Sequence, residues 1–571
     1  MKLSDYVAKV IKRLGIKCVF GLQGGAVVHL FDSIEKLGID VVYTHHEQAA
    51  SLAAVSYSKS TQNLGCVIVT SGPGSTNAIT GLLGAWQDSI PCIFISGQAR
   101  SDQLSYGKKV RQVGTQEVNI VDIVKPITKY AKCVSKKNEI HSIFKKAIKI
   151  AHEGRPGPVW IDIPVDLQWL DISFNPNEVK FSPKNTLNNK IRLQFSKSVE
   201  LIKNSKNPLF VIGYGVTLAN QTTRIKKIIE KNAIPFVTSW TASDIFATNN
   251  KLNLGIIGMS GQKGANKAIF DADLLVCLGT HLSSPQTTTL YDSYAPKAKK
   301  IIVNIDSDQL KNLNINFDLK IKADLKDFLI FIDRYFLTRN LQWKNLNFYK
   351  EMNWIEPPKS KHINSYEFIR NLSKRIKRRC CYIIDGGGTA LYAGFQSSVL
   401  KENDRIICSS AISAMGTGLA ETIGVYKSHN FKLHVCIIGD GSFIMNIQDL
   451  QTIVQEQINV KIIVINNNGY QAIRNTQNEF LSGRLYGTHP DWNLKMPSIE
   501  SISNGFNIDY IKLIKNQNLD ASIDKIINHS GPLVVEVVID ENQKPLFRQK
   551  FIKNNNGTFS PTDLSDMLSH E

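Results

Sequence analysis

A carboxylate at the joint between a strand and a helix is the first feature of this chain that can do chemistry. Glu47 stands in "VVYTHHEQAASLAA" (41–54), where a β-branched run precedes two histidines and a stretch of small, helix-compatible residues. A charge at a buried joint is costly unless a partner stabilises it. The plain alternative is a carboxylate favoured by the helix dipole, so a chemical role for Glu47 depends on motifs elsewhere.

The most specific motif is "GDGSFIMNIQDLQTIVQEQINVKIIVINNN", residues 439–468. Its strand "HVCII" leads into a helix, and its second strand "VKIIVI" ends at paired asparagines. Carboxyl ends of parallel strands meet at one edge of a sheet, beside helix N-termini that favour phosphate. The alternative is a tight turn followed by a polar loop. The residues that carry the chemistry here are Gly439, Asp440, Gly441, Ser442 and Asn467.

Hard oxygen ligands in this motif predict a magnesium site. Mg²⁺ prefers an octahedron of oxygens, with one or two protein ligands beside phosphates and water. The Asp440 carboxylate, the Asn467 amide oxygen and the main-chain oxygen of Gly469 meet that demand. A glycine on each side of Asp440 lets the backbone approach a diphosphate.

Three blocks of strand-like runs separated by helical patterns position these motifs. The alternation predicts an α/β fold class with three successive doubly wound parallel-sheet domains. Polar linkers are predicted at about 167–192 and 336–362, and the C-terminal tail is predicted to be irregular. The predicted bounds are 1–170, 193–335 and 362–540 for the three domains and 541–571 for the tail.

Composition excludes several classes of function. The formal charge of +19 is spread along 571 residues, with "KRIKRR" (374–379) as the longest basic block, so we expect no nucleic-acid partner. We expect no membrane partner, because no apolar run is long enough to span a bilayer. The N-terminus lacks the features of a secretory signal, and the nine cysteines are scattered in apolar runs. These features predict a cytoplasmic protein without a zinc site.

The GDG motif with its asparagines resembles that of the thiamine diphosphate enzymes. In that family a glutamate at a strand end hydrogen-bonds N1′ of the cofactor's aminopyrimidine. The bond stabilises the tautomer that takes the proton from C2 of the thiazolium, and the resulting carbanion attacks a 2-oxo acid. The resemblance therefore implies that Glu47 activates the cofactor and that thiamine diphosphate and Mg²⁺ are bound.

The chain is most similar to the acetolactate (acetohydroxyacid) synthase branch, nearly from end to end. The motifs that carry the resemblance are "VFGLQGGAVVHLFD", "THHEQAASLAA", "VTSGPGSTNAITGLLGAWQDSIPCIFISGQ", "GTQEVNIVDIVKPITKY", "GRPGPVWIDIP" and "DGGGTALYA". The resemblance to this family implies three domains: a pyrimidine-binding, a central and a diphosphate-binding domain. The cofactor then lies between the first domain of one chain and the third of another, which predicts a homodimer or homotetramer.

The resemblance assigns roles by position. Met415 is expected to support the bend of the cofactor, and Gln116 to lie near the reacting carbonyl. Alone, Met415 would more often be core filler and Gln116 a satisfied surface amide, and glycine turns need only positive φ. The order and spacing that these residues share with one family favour the functional interpretation. The implied catalytic residues are Glu47, Gln116, Gly24 and Gly25; the implied cofactor-binding residues are Glu47, Ser71, Gly72, Pro73, Gly74, Asn77, Gly386, Gly387, Gly388, Thr389, Met415, Gly439, Asp440, Gly441, Ser442, Asn467 and Gly469; the implied metal ligands are Asp440, Asn467 and Gly469.

The sequence departs from the family pattern at two places, so it leaves open whether a flavin is bound and which acceptor the enzyme uses. "GTHLSSPQTT" (279–288) stands where the family has an arginine- and aspartate-rich flavin segment, so FAD, another nucleotide or no ligand remain open there. Thr115 and Thr476 replace an aromatic residue and the tryptophan of the acceptor pocket. The acceptor of the acetyl unit from pyruvate is then pyruvate or a larger carbonyl compound such as a keto-sugar nucleotide. A 2-oxo acid decarboxylase, an acyl-CoA lyase and a non-catalytic binding protein are the alternative functions.

Overall fold

Three six-stranded, wholly parallel sheets follow one another along the chain, which confirms the predicted α/β class. The computed structural model describes residues 1–179, 187–335, 341–343, 345–358, 360–516 and 518–569. Helices flank the sheets, and the central strands are buried along their length, as expected for parallel sheets covered on both faces. One sheet lies within each of the three predicted domains, whose bounds stay predictions.

The first unit places six strands and eight helices in the N-terminal part of the chain. Its strands are β1 Cys18–Gly21, β2 Asp40–Tyr43, β3 Gly65–Val69, β4 Cys92–Gln98, β5 Tyr130–Cys133 and β6 Val159–Pro164. Its helices are α1 Leu3–Arg13, α2 Val28–Lys36, α3 Glu47–Thr61, α4 Pro73–Asn77, α5 Ile79–Gln87, α6 Ile120–Val124, α7 Ile140–His152 and α8 Val165–Gln168.

The central unit has the same number of strands. They are β7 Pro208–Ile212, β8 Phe236–Thr238, β9 Asn253–Ile256, β10 Leu274–Leu278, β11 Lys299–Asn304 and β12 Leu319–Lys322. The helices are α9 Asn189–Asn204, α10 Gly215–Leu218, α11 Thr222–Asn232, α12 Lys263–Asp271, α13 Ser284–Thr287, α14 Ser307–Lys311, α15 Leu325–Tyr335 and α16 Leu346–Glu351.

The third unit repeats the layout of the first. Its strands are β13 Cys380–Ile384, β14 Arg405–Ile407, β15 Leu433–Gly439, β16 Val460–Asn466, β17 Asp509–Leu513 and β18 Leu533–Val538. Its helices are α17 Ser365–Arg375, α18 Gly388–Ser397, α19 Thr417–Lys427, α20 Asp440–Phe443, α21 Asp449–Gln455, α22 Gln471–Phe480, α23 Ile499–Gly505 and α24 Leu519–Asn528.

Strand order locates the edge at which each sheet can bind a ligand. The first sheet has the order β2-β1-β3-β4-β6-β5, and the third has the equivalent order β14-β13-β15-β16-β18-β17. The central sheet differs, with β12-β11-β10-β7-β8-β9. In such sheets the chain reverses direction across the sheet at one point, and a crevice opens there beyond the carboxyl ends of the strands. The crevices lie after β1 and β3, after β7 and β10, and after β13 and β15.

Helices α3 and α19 pack the first unit against the third. Helix α3 is rich in alanine and serine and is buried on nearly all sides, which is typical of a helix enclosed in a core. A Cβ at Gly424 would lie 1.9 Å from the carbonyl oxygen of Ala53, so this glycine permits close helix approach. The Ser56 hydroxyl also donates to the carbonyl of Glu421 over 2.8 Å.

The prediction of an irregular tail was wrong. Four short strands follow residue 546: β19 Phe547–Gln549, β20 Phe551–Lys553, β21 Phe559–Pro561 and β22 Met567–Ser569. β19 pairs with β22 and β20 with β21, both antiparallel. Short pairs of this kind give little sequence signal, since their polar and apolar residues hardly alternate.

The predicted linkers fall partly outside the described residues. This applies to 180–186 in the first linker and to 336–340, 344 and 359 in the second. The second linker is not wholly irregular, because α16 lies within it.

All nine cysteines lie in the described part of the chain, and none forms a disulfide; eight are buried and Cys133 is half-buried. Within that same part, none of the helices combines the length and apolar character needed to cross a bilayer.

Candidate active site

Glu47 is the first residue of α3, as the sequence predicts for a strand–helix joint. His46 caps the helix, because its Nδ1 accepts a hydrogen bond from the Gln48 N–H over 3.1 Å. The Glu47 carboxyl is buried, with 7% exposure. Asn77 donates its side-chain amide to Oε2 of Glu47 over 3.0 Å, which offsets part of the cost of burial.

The glycine turns after β1 and β3 meet beside this carboxylate. A Cβ at Gly74 would lie 2.7 Å from the Thr70 methyl carbon and 3.2 Å from Oε1 of Glu47. A Cβ at Gly24 would lie 2.5 Å from the Thr70 side chain. Thr70 therefore holds the two predicted turns together. Both glycines are needed for close packing within the protein, whether or not a ligand is bound.

Gln116 also belongs to this cluster. Gly72 has φ +62°, and a Cβ there would lie 2.7 Å from the carbonyl oxygen of Gln116. Gln116 is exposed and has φ +56°. A Cβ at Gly25 would meet nothing within 4 Å, so packing does not explain that glycine. Of the remaining predicted residues of this unit, Ser71 is buried and Pro73 is exposed.

Asp440 lies in the crevice of the third sheet and is buried. The register pairs Gly439 of β15 with Ile465 of β16, which brings the ends of the two strands level. The Gly469 N–H donates to Oδ2 of Asp440 over 2.8 Å, and the Gly441 N–H donates to Oδ1 over 2.9 Å. Burial raises the pKa of Asp440 to about 6, although these N–H groups oppose the shift.

The side chain of Asn467 has an acceptor without a partner. Its amide nitrogen donates to Thr389 Oγ1 and to Gln471 Oε1, each over 3.1 Å, which fixes the orientation of the amide. Its Oδ1 is buried and has no hydrogen-bond partner. An orphaned buried oxygen requires an explanation such as an ion. The three predicted metal ligands, Asp440, Asn467 and Gly469, are thus brought together.

The glycines after β13 form a narrow wall opposite Ser442. A Cβ at Gly387 would lie 2.6 Å from the Ser442 hydroxyl oxygen and 3.2 Å from Cγ of Met415. A Cβ at Gly386 would lie 2.4 Å from the carbonyl oxygen of Ala414. Gly388, with φ +41°, begins α18. The first N–H groups of a helix have no acceptor within the helix, so this N-terminus favours an anion.

Three residues that the sequence did not single out stabilise this half of the site. Asp385 is fully buried and accepts from the N–H groups of Gly387 and Gly418. Arg474 donates to the carbonyls of Asn467, Asn468 and Thr488. Gln471 bonds Thr389 and Asn467. Asp385 begins the motif "DGGGTALYA", so its place at a strand end was a usable sequence signal. Arg474 and Gln471 both lie on α22, and no sequence motif marks them.

The predicted residues form two clusters in one chain. Glu47, Asn77 and the first glycine turns lie at the first sheet. Asp440, Asn467, Met415 and the second glycine set lie at the third. Met415 is 40% exposed, more than core filler would be.

A cavity of about 1420 Å³ adjoins the third-sheet cluster and is lined by all three units. It lies at the crevice of the central sheet, where Tyr214 and His281 follow β7 and β10, and it reaches Gly386. Arg155 lines it too and donates to Asp306 over 3.3 Å. Burial lowers the pKa of His281, and Arg155 lowers it further. The cavity exceeds the ~300–1,000 Å³ typical of small-ligand sites.

Comparison with known proteins defines the class of the protein. Three families match in order along the chain: "Thiamine pyrophosphate enzyme, N-terminal TPP binding domain" over 1–123, the "central domain" over 195–331 and the "C-terminal TPP binding domain" over 386–537. Fold and matches together define a thiamine pyrophosphate (thiamine diphosphate) enzyme.

Relatives narrow the class to one branch. The acetolactate synthase large subunit of Haemophilus influenzae is 30% identical over 553 residues, covering 95% of each chain. The isozyme 2 large subunit of Escherichia coli is 28% identical over 550 residues, covering 95% of this chain and 96% of that protein. The acetolactate synthase large subunit of Porphyra purpurea is 30% identical over 559 residues, covering 93% of this chain and 91% of that protein. The chain belongs to the acetolactate synthase large-subunit family, as its motifs predict.

Proposed function

We propose that this thiamine diphosphate-dependent carboligase takes an acetyl unit from pyruvate and joins it to a carbonyl acceptor, with Mg²⁺ bound by Asp440, Asn467 and Gly469. The single observation that supports the site best is the buried, unpartnered Oδ1 of Asn467 beside the Asp440 carboxylate. Oxygen ligands of this kind suit Mg²⁺, which leaves further positions for diphosphate and water.

The residues of the third unit bind the diphosphate end of the cofactor in this proposal. Gly439, Gly441, Ser442 and the glycines 386–388 present backbone with little side-chain bulk, and Thr389 lies at the first turn of α18. Met415 supports the bend of the bound cofactor. The cofactor supplies the carbanion chemistry when bound, and the protein orients it and excludes water.

Glu47 holds and moves the proton in this proposal. Asn77 fixes one oxygen of its carboxylate, so the other is oriented for a hydrogen bond to the aminopyrimidine. Gly25, where a Cβ would meet nothing within 4 Å, would let the backbone approach the bound substrate, and Gly24 would adjoin it. Gln116 lies beside Gly72, where its exposed side chain can reach the reacting carbonyl. Ser71, Gly72, Pro73 and Gly74 form the adjoining turn.

A second copy of the chain completes the site in this proposal. Large apolar side chains are exposed around the third-sheet cluster, including Met415, Met445, Ile473 and Tyr486 at 40%, 41%, 53% and 62%. Apolar groups gathered at such a site favour burial by a partner. The partner's first unit, with its Glu47 cluster, is the surface that the family resemblance implies. The smallest complete assembly is then a homodimer.

The acceptor pocket is proposed to admit a carbonyl compound larger or more polar than pyruvate. Thr115 and Thr476 are both exposed, and the Thr476 hydroxyl donates to the Ala472 carbonyl over 3.2 Å. Neither side chain fills space as an aromatic ring would. The observation favours acceptors that carry hydroxyl or phosphate groups, such as keto-sugar nucleotides.

Product analysis tests the function. The purified protein is incubated with thiamine diphosphate, Mg²⁺ and pyruvate, with and without a panel of carbonyl acceptors, and the products are analysed by mass spectrometry. We expect pyruvate consumption that requires both cofactors and an acetyl adduct of the acceptor. Abundant acetolactate from pyruvate alone would overturn the polar-acceptor proposal, and free acetaldehyde as the main product would favour a decarboxylase.

The cavity at the central sheet is proposed to bind FAD. Its size and its lining by Arg155 and Trp240 fit a dinucleotide, whereas His281 does not provide the permanent charge of the family's arginine. Absorbance of the purified protein near the flavin bands, followed by mass spectrometry of the released ligand, tests this. A colourless protein that gains no absorbance after incubation with FAD would contradict it.

A further inference from the structure

A buried ion pair of the first unit lies against the third unit. Nζ of Lys59, on α3, lies 2.7 Å from Oδ2 of Asp88, directly after α5, and the side chains are only 4% and 8% exposed. Burial tends to lower the pKa of Lys59, but the Asp88 and Glu421 carboxylates outweigh it and raise the pKa. A buried pair is not in itself strong evidence of stabilisation, so its other bonds indicate its role.

Both partners bond the backbone of residues 408–416, here called the support segment. Nζ of Lys59 donates to the Cys408 carbonyl over 2.8 Å. The Ala411 N–H donates to Oδ1 of Asp88 over 3.2 Å. Two backbone groups of the third unit are therefore held by charged side chains of the first. The bond to Cys408 is buried, where such bonds are strong, and the bond from Ala411 lies at an exposed residue.

The support segment forms one wall of the proposed diphosphate site. A Cβ at Gly386 would lie 2.4 Å from the Ala414 oxygen and 2.6 Å from the Ser413 carbonyl carbon, so the two backbones are in close contact. Met415 lies beside Gly387. The carbonyl of Gly416 accepts from the Asn446 amide over 2.7 Å, which fixes the far end of the segment. A shift at Cys408 or Ala411 would move this wall.

We propose that Lys59 and Asp88 are positioning residues that hold the support segment, and through Met415 and the glycine wall the cofactor, in place. The inference rests on the proposed function, since it takes this wall to be cofactor-binding. Lys59 stands on the helix that begins with Glu47. One helix thus presents the proposed activating carboxylate and also supports the cofactor wall of the third unit in its own chain.

A cofactor titration of Lys59→Met tests the proposal. Methionine keeps the unbranched shape and most of the length of the side chain but removes the donor to Cys408 and the partner of Asp88. We expect the thiamine diphosphate concentration for half-maximal activity to rise by about tenfold or more, because breaking a buried pair leaves an uncompensated charge. The KM for pyruvate at saturating cofactor stays unchanged, and Lys59→Arg restores tight cofactor binding.

Lys427→Met is the matched control. Lys427, at the other end of α19, also joins the units, with Nζ 2.9 Å from Asp40 and 2.7 Å from Glu456, but these bonds go to carboxylates and not to the support segment. We expect this variant to lower the unfolding temperature while the half-saturating cofactor concentration stays at the wild-type value.

Three outcomes decide the matter. The proposal would be overturned if Lys59→Met is less stable than the wild type but binds thiamine diphosphate as tightly as Lys427→Met does. If Lys59→Met does not fold, Asp88→Ala, which removes the acceptor of the Ala411 N–H and the partner of Lys59, is titrated instead, and unchanged cofactor binding there overturns the proposal. Wild-type protein that fails to bind thiamine diphosphate would refute the proposed function, a result distinct from both.

Discussion

The side-chain amide of Asn77 donates to Oε2 of Glu47 over 3.0 Å, and it joins the helix after β3 to the joint after β2. Two neighbouring connections of one sheet thereby fix the orientation of a single carboxylate. The other oxygen, Oε1, lies on the side of Gly74, 3.2 Å from where a Cβ of that residue would stand. This relationship predicts that Asn77 acts through Glu47.

Replacing Asn77 with leucine should lower kcat about tenfold, because a hydrogen bond to a charged group contributes ~1.5–3 kcal/mol and orients it. Asn77→Asp should lower kcat further than Asn77→Leu does, since two adjacent carboxylates repel each other. Steady-state pyruvate consumption measures both. Equal kcat for wild type and Asn77→Leu would show that the bond does not orient Glu47.

Asp440→Asn should raise the Mg²⁺ concentration for half-maximal activity by at least roughly tenfold, because an uncharged amide is a weaker ligand than a carboxylate and the loss of a group that only orients a ligand already costs ~10–100-fold in metal affinity. The control is Asn468→Ala, next to the proposed ligand Asn467; the Asn468 side chain donates to Glu541 over 2.8 Å instead. Titration with Mg²⁺ at saturating cofactor measures the effect. A normal Mg²⁺ requirement in Asp440→Asn would remove Asp440 from the metal site.

The two glycines of the GDG motif should respond differently to alanine. At Gly441 a Cβ would lie 2.2 Å from a ring carbon of Tyr470, so the substitution should lower the unfolding temperature. At Gly439 a Cβ meets nothing within 4 Å and φ is −79°, which alanine adopts freely. Gly439→Ala should keep its stability and lose affinity for thiamine diphosphate.

Differential scanning calorimetry and cofactor titration distinguish these two glycine variants. Tight cofactor binding by a stable Gly439→Ala would mean that the diphosphate does not approach this backbone.

Stability should depend on pH through Glu421, which is fully buried. Burial raises its pKa from 4.5 to about 7, although Lys59 and the Ser409 hydroxyl oppose the shift. The folded state therefore holds a proton that the unfolded state releases between pH 4.5 and 7, so this contribution to the free energy of unfolding falls as pH rises through that window. Above pH 7 the Glu421 carboxyl is ionised in both the folded and the unfolded state, so its contribution to the free energy of unfolding falls no further.

Glu421→Gln isolates this contribution, since the amide oxygen can still accept from Ser409. Urea unfolding from pH 4.5 to 7.5 should show the wild type losing stability relative to the variant as pH rises. A difference between the two proteins that is constant with pH would contradict the assignment.

The fold class and the two clusters were predictable from the sequence because short, strongly apolar runs end in glycine or acidic residues. "HVCIIGDG" combines a buried strand with the turn that follows it, and the structure places Asp440 there as predicted. Backbone geometry of parallel sheets then brings such strand ends together without further information.

The supporting contacts could not be predicted. The bonds from Lys59 to Cys408 and from Ala411 to Asp88 join residues more than 300 positions apart. Asp88 stands in a motif and Lys59 does not, but no local pattern indicates either partner. The orientation of Asn467 depends on Thr389 and Gln471 in two different helices. Such bonds follow from tertiary packing and not from local pattern.

Exchange of the C2 hydrogen of bound thiamine diphosphate with deuterium, followed by quenched-flow NMR, tests the central claim most directly. The wild-type protein should exchange this hydrogen at least about a hundredfold faster than Glu47→Gln, since a positioned acid–base group contributes ~10²–10⁴-fold. The variant should keep its unfolding temperature and its affinity for the cofactor. Equal exchange rates in the two proteins, with the cofactor bound in both, would contradict the assignment of Glu47 as the group that activates it.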